Sequence, residues 1–193
     1  MKSADCTLSD ARPSRQAVHP DIRNNFRKWI ATRQSAMRNL LVVVLAFWRR
    51  RLLPTQTVDR RFFVMPWDVG IGTFRSDRYF AAAEAAQFDF VTRTDLLRPL
   101  LAQGVRWVNL GQASALHRPL RLFQSFVVST KVVCVDEKHA YFSHIFSSAA
   151  GEHARVLVKA KFKQGSRTVP PHAVLGVQPT EKSIEIQALD RLS

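Results

Sequence analysis

The sequence predicts an α+β domain in which one long helix packs against an antiparallel sheet of about five strands. Three observations predict it. Residues 60–65 (Arg60-Arg61-Phe62-Phe63-Val64-Met65) read as a strand that ends at a proline. The run Ala81-Ala82-Ala83-Glu84-Ala85-Ala86 has high helix propensity and lies inside a helix-like stretch from Asp77 to about Leu97. Four strand-length runs follow, separated by turn formers. A strand, a long helix and then a meander of strands is the order of a helix covering one face of an antiparallel sheet.

Length and composition set the frame. With 193 residues, 46% apolar content, thirteen Phe and four Trp, the chain has enough material for one core of domain size. Two cysteines, Cys6 in a polar stretch and Cys134 in an apolar one, give no disulfide framework and no zinc spacing. They suit a reducing compartment, and a cytoplasmic location is expected. The net charge of +14 favours polyanionic partners: nucleic acid, anionic lipid or a phosphorylated cofactor. The chain shows no helix-turn-helix pair and no aromatic-basic platform, which argues against nucleic acid.

Residues 1–57 hold eleven Lys or Arg against three Asp and read as a separate basic segment. Residues 1–19 lack periodicity. From Asp21 onward Ile22, Phe26, Trp29, Ile30, Met37, Leu40, Leu41 and Val44 recur at three- and four-residue steps, the signature of an amphipathic helix. Its apolar run Leu40–Trp48 rises only about 13.5 Å as helix, short of a bilayer core of roughly 30 Å, and ends at Arg49-Arg50-Arg51. Two readings stand for this helix: packing on the domain or a partner subunit, or an interfacial anchor on anionic lipid. The latter would place the protein peripherally at a membrane surface. Leu52–Thr57 reads as a linker.

In the domain, residues 58–176, the helix is expected to bury Phe80, Ala83, Phe88, Val91 and Leu96. The strands are expected at about 105–116, 121–135, 139–147 and 154–164. The last alternates cleanly, with Val156, Val158, Ala160 and Phe162 on one face and Lys159, Lys161 and Lys163 on the other. Residues 177–193 read as a C-terminal tail.

The motif Pro66-Trp67-Asp68-Val69-Gly70-Ile71-Gly72-Thr73-Phe74-Arg75-Ser76-Asp77-Arg78-Tyr79 joins the first strand to the helix. It puts a carboxylate beside a helix N-terminus, the minimum needed to draw water onto an ester or thioester carbonyl. The motif resembles the Pro-x-Asp-Leu-Asp-x-Asn-x-His-Met-Asn-Asn-x-x-Tyr pattern of the 4-hydroxybenzoyl-CoA thioesterase-like hot-dog family. Arg118-Pro119-Leu120, Val158–Phe162 and Val169-Pro170-Pro171 resemble later parts of the same family, so the likeness covers about residues 58–176.

This resemblance implies a hot-dog fold, with a curved sheet wrapped around the helix, and hydrolysis of an acyl-CoA thioester. It also implies a homodimer or tetramer with the site at a subunit interface. Asp68 matches the first aspartate of the pattern, Gly70 stands where the second, usually catalytic, one would be, and Phe74-Arg75-Ser76-Asp77 replaces His-Met-Asn-Asn. The candidate catalytic carboxylates are therefore Asp68, Asp77 (otherwise a helix cap) and Glu84, seven residues into the helix. Thr73, Phe74, Arg75, Ser76 and Tyr79 would line the substrate and hold the oxyanion with backbone amides. Asn109 and Gln112 would orient water or substrate, and Lys159 and Lys161 would meet coenzyme A phosphates. No His/Cys/Asp/Glu group has metal-ligand spacing, and no cofactor is expected. A non-catalytic module that binds acyl-CoA or a protein partner is the alternative.

Overall fold

The computed structural model describes residues 51–192. The expected basic tail, the amphipathic helix with its anchor, and Cys6 all lie outside the described residues. Among them the chain forms β1 (Val58–Phe63), a 3₁₀ turn (Pro66–Asp68), α1 (Ser76–Arg93), α2 (Leu97–Ala102) and β2 (Val105–Leu116). It continues through β3 (Ser125–Val135), β4 (Ala140–Ser148), β5 (Gly151–Gln164), β6 (Arg167–Val169), α3 (Pro171–Leu175) and α4 (Ile184–Leu192). The strands make one sheet in the order β1-β3-β4-β5-β2, with β6 also on β5, and every pairing is antiparallel. The sheet curls around α1.

The expected alternation sets the inner face of β5: Val156, Val158, Ala160 and Phe162 are all buried. Of the expected stripe the helix buries Ala83 and Val91, but its centre is shifted from the one expected. Tyr79, Ala82, Ala83, Ala86 and Phe90 face the sheet at three- and four-residue steps, while Phe80 and Phe88 are half-buried at its margins. Three alanines let the helix come close to the strands. Aromatic rings grip its two ends, with Tyr79 against Phe146 at 5.2 Å and Phe90 against Phe142 at 5.7 Å between centroids.

The helix also ends earlier than the expected residue 97. Asp95 takes a left-handed conformation, φ 60°, and Leu96 N–H returns to the Val91 carbonyl at 3.0 Å, which caps the last turn. Leu97 then starts a second short helix. In the same way β3 begins at Ser125 and not at 121. Phe123 has φ 63°, and the Arg121 N–H bonds to Gln124 Oε1, so these residues form a turn.

Between α1 and the sheet lies His144, fully buried, with Nδ1 3.0 Å from Thr130 Oγ1. Burial pushes its pKa down to about 3. The unfolded chain takes up this proton near pH 6.5 and the folded one resists to about 3, so stability falls as pH drops through that window. Urea melts should show a loss of about 2 kcal/mol between pH 7 and pH 5 from this group alone. His144→Gln should start lower at pH 7 and lack that part of the slope.

The stretch expected to be a tail is ordered against the outer face of the sheet. Ile186 and Leu189 of α4 are buried, and Ile186 packs with Cys134 and Tyr141. A polar clasp fixes this arrangement. Lys182 Nζ lies 2.7 Å from Asp136 Oδ2 and 2.6 Å from Asp190 Oδ2, Lys159 Nζ is 3.0 Å from Asp190 Oδ1, and the single Tyr141 O–H lies within reach of Asp190 at 2.8 Å and Asp136 at 3.1 Å. Burial works against ionisation of Asp190, yet the Lys182, Tyr141 and Lys159 bonds outweigh it and hold its pKa near 2. Burial also works against ionisation of Asp136, and Lys182 with the Lys138 and His139 backbone N–H groups holds it well below the ordinary carboxylate range. The clasp is therefore complete above about pH 4 and weakens as pH falls toward 2. Lys182→Ala should cost about 1–3 kcal/mol and raise amide hydrogen exchange in 184–192 ahead of the sheet.

Candidate active site

The loop before α1 is built by its own backbone. Gly70 N–H bonds to the Thr73 carbonyl at 2.9 Å, and Gly72 takes φ 78°, a turn that favours glycine. Val69 bridges Phe74, Thr73 bridges Arg121, and Phe74 N–H reaches the Leu120 carbonyl at 2.9 Å. The loop thus lies against the turn that leads into β3.

Asp68 is buried in this loop. Its Oδ2 accepts the Met65 N–H at 3.3 Å, and its Oδ1 lies 3.7 Å from Arg78 Nε, also buried. Arg78 further donates to the Trp67 carbonyl at 3.5 Å. A carboxylate between a backbone amide and a guanidinium braces the loop, and its Oδ1 makes an ion pair but no hydrogen bond among the described residues. Asp77 is exposed and holds Arg75 through two hydrogen bonds, of 3.0 and 3.1 Å, at the first turn of α1. It caps charge and faces solvent.

Phe74 and Tyr79 belong to the core. Their rings meet edge-on at 4.8 Å, and burial raises the Tyr79 pKa, offset in part by a backbone hydrogen bond at Leu120. Thr73, Arg75 and Ser76 are exposed beside the helix N-terminus, where the first N–H groups of a helix have no intrahelical acceptor.

Glu84 has another setting. It is half-buried in the wall of a cleft of about 490 Å³ between α1, α2 and β2. Phe88, Leu97, Leu100, Leu101 and Trp107 make the cleft largely apolar, with Phe88 and Trp107 rings 4.9 Å apart. Asn109, Gln112 and Arg106 supply its polar edge. A bulge in β2 between Asn109 and Gly111 keeps both Asn109 and Gln112 on the helix side, opposite Ala160 and Val158. Behind Glu84, Asn109 Nδ2 donates to Gln87 Oε1 at 3.1 Å and ties helix to strand. Gln87 Nε2 and Asn109 Oδ1 are buried with no hydrogen-bond partner among the described residues.

The structure therefore brings together Glu84, Asn109 and Gln112, and separately Asp68, Thr73, Arg75, Ser76 and Asp77. Lys159 stands apart from both groups in the α4 clasp, and Lys161 is half-buried on the outer face of β5. Gln87, Trp107 and Arg106 were missed from the sequence. Gln87 was the readable one, since it lies three residues from Glu84 on the same helix face.

Solved structures share this architecture. A probable thioesterase from Bartonella henselae matches 60% of this chain and 98% of its own at TM-score 0.55 and 15% identity. YbaW, a probable thioesterase from Escherichia coli, matches 61% and 92% at TM-score 0.56 and 15% identity. The fold is the hot-dog fold. Another hot-dog neighbour is Slr0204, a 1,4-dihydroxy-2-naphthoyl-CoA thioesterase from Synechocystis, at TM-score 0.52 and 13% identity over 60% of this chain and 89% of its own. No family model matches the sequence. Among curated proteins it is 30% identical over 84 residues to Protein THEM6 of Xenopus laevis, a match spanning 43% of this chain and 41% of that protein.

Proposed function

We propose that the chain is a thioester hydrolase that cleaves acyl-CoA to the free acid and coenzyme A, with Glu84 as the base. The observation that carries this reading is the contrast between two carboxylates. Asp68 is occupied by Arg78 and Met65, whereas Glu84 lies on the wall of an apolar cleft with no salt bridge or hydrogen bond among the described residues. An apolar cleft with one carboxylate and two amide side chains suits an acyl group whose thioester carbon meets activated water. Sulfur leaves as the thiol of coenzyme A when the tetrahedral intermediate collapses.

The oxyanion needs donors, and the free N–H groups at Ser76 and Asp77 are the candidates. Ser76 and Glu84 are eight residues apart on one helix, about 12 Å, too far to serve one carbonyl. A homodimer resolves this if the helices run antiparallel, so that Glu84 of one copy faces the helix start of the other. That geometry is the reason to expect an oligomer here.

The test is hydrolysis of a panel of acyl-CoAs by the full chain, read as thiol release across chain lengths and aryl groups. Thiol release supports the proposal. Binding of acyl-CoA without thiol release would favour the non-catalytic module, a reading supported by the engaged Asp68 and by Gly70 at the position where the resembled family carries its second aspartate.

A further inference from the structure

Two segments leave the same end of the sheet. β1 ends at Phe63 opposite Ser125, where β3 begins, so the loop 64–75 and the turn 117–124 emerge side by side. Backbone bonds from Phe123 N–H to the Val64 carbonyl and from Val64 N–H to the Gln124 carbonyl, both 3.0 Å, lock them together. On these segments large apolar side chains stand in solvent. Ile71 at the tip of the glycine turn is fully exposed, Phe123 is 60% and Trp67 51% exposed, and Phe63 contacts Phe123 at 6.2 Å between rings.

These tips are held outward by rigid structure. Phe123 adopts φ 63°, a conformation uncommon for a bulky residue and stable only where its surroundings impose it. Beneath it runs a polar network. Gln124 Nε2 is 3.3 Å from Ser148 Oγ, Ser148 Oγ is 2.7 Å from His153 Nε2, and His153 Nδ1 is 3.3 Å from the Arg118 carbonyl. A chain that fixes a turn so firmly and still leaves Phe, Trp and Ile in water has built a contact surface.

Charge identifies the contact. Arg61, Arg118 and Arg121 are exposed at this end, and Arg118 bonds to a carbonyl, of Ala150, while Arg61 and Arg121 meet no carboxylate among the described residues. Near the loops, Asp77 holds Arg75, Asp68 holds Arg78, and Glu152 lies 3.5 Å from Arg155; Asp59, exposed on the same face of β1 as Arg61, lies farther from the loop tips. The surface therefore offers aromatic and aliphatic tips within a field of uncompensated guanidinium groups.

We propose that this loop end docks on an anionic lipid bilayer. Trp67, Ile71 and Phe123 would enter the headgroup boundary, and Arg118 and Arg121 would meet lipid phosphates and carboxylates. The surface belongs to residues 63–124, and its loop 64–75 leads into the helix start to which the hydrolase reading assigns the oxyanion.

The experiment is co-sedimentation of the full chain with phosphatidylcholine vesicles, with and without phosphatidylserine. The wild type should bind the anionic vesicles, and Trp67→Ser/Ile71→Ser/Phe123→Ser should lower the partition coefficient about tenfold or more. An unchanged partition overturns the proposal, as does a wild type that ignores anionic vesicles. Conversion of a dimer to monomer by the triple variant overturns it too, since the patch would then be a subunit interface. Trp67→Phe supplies a milder check. Brominated lipid in the anionic vesicles should quench the wild-type fluorescence, and part of that quenching should vanish in Trp67→Phe; equal quenching in both sinks the idea.

Discussion

Glu84→Gln should lower turnover of a cleaved acyl-CoA by about 10²–10⁴ with little change in acyl-CoA affinity. The substitution keeps size and hydrogen-bonding capacity and removes only the basic oxygen, so the loss falls on kcat while KM stays near its original value. Asp68→Asn, measured in parallel, should do the reverse. It weakens the contact to Arg78 and leaves the cleft alone, so the melting temperature should fall and much of the turnover remain. A large loss with Asp68→Asn at unchanged stability would return the base to the loop. If neither variant slows a measurable wild-type reaction, the carboxylate mechanism is wrong.

Asp89→Ala should destabilise the fold by about 3–5 kcal/mol. Asp89 is fully buried on α1, with Arg60 of β1 at 3.3 Å and Arg93, one turn on, at 3.6 Å; Arg93 also donates to the Asp59 carbonyl. Removing the carboxylate leaves the Arg60 guanidinium in the interior without this counter-charge. Chemical melts should show a lower midpoint at constant m-value. Asp89→Asn should recover part of the loss through retained hydrogen bonding. A change under about 1 kcal/mol would mean that water reaches these arginines.

Much of this architecture was legible because it rests on local pattern. The alternation of Val156 to Phe162 sets the strand and its inner face, and the alanine run sets the helix. What escaped depends on contacts distant in sequence. The buried stripe of α1 passes through Tyr79 and Phe90 because Phe146 and Phe142 receive them from β4, more than fifty residues away. Residues 177–192 read as a tail although Ile184, Ile186, Leu189 and Leu192 carry a helical spacing, because the surface that receives them is made by Asp136, Tyr141 and Cys134. The place of α4 depends on Lys182 and Asp190 finding Asp136 and Tyr141. At the site, residue type singled out Asp68, Asp77 and Glu84 together. Their separation came from Arg78 and Arg75, which neutralise two of them at distances that sequence spacing does not encode.

The strand order has a consequence for how the chain is made. β2 leaves the ribosome before β3 and β4, yet its partner is β5, with Val105 opposite Gln164. The first pair that can form, Leu116 opposite Ala154, needs about forty further residues, and the last, Val105 opposite Gln164, about sixty, on the order of seconds at ordinary synthesis rates of about 5–20 residues per second. Through that interval a twelve-residue strand bearing Val108, Leu110 and Leu116 has no neighbour in its own chain. Adjacent nascent chains on one message present the same strand at the same stage. Pairing between them would compete with closure of the sheet, and the outcome would depend on how densely ribosomes are loaded.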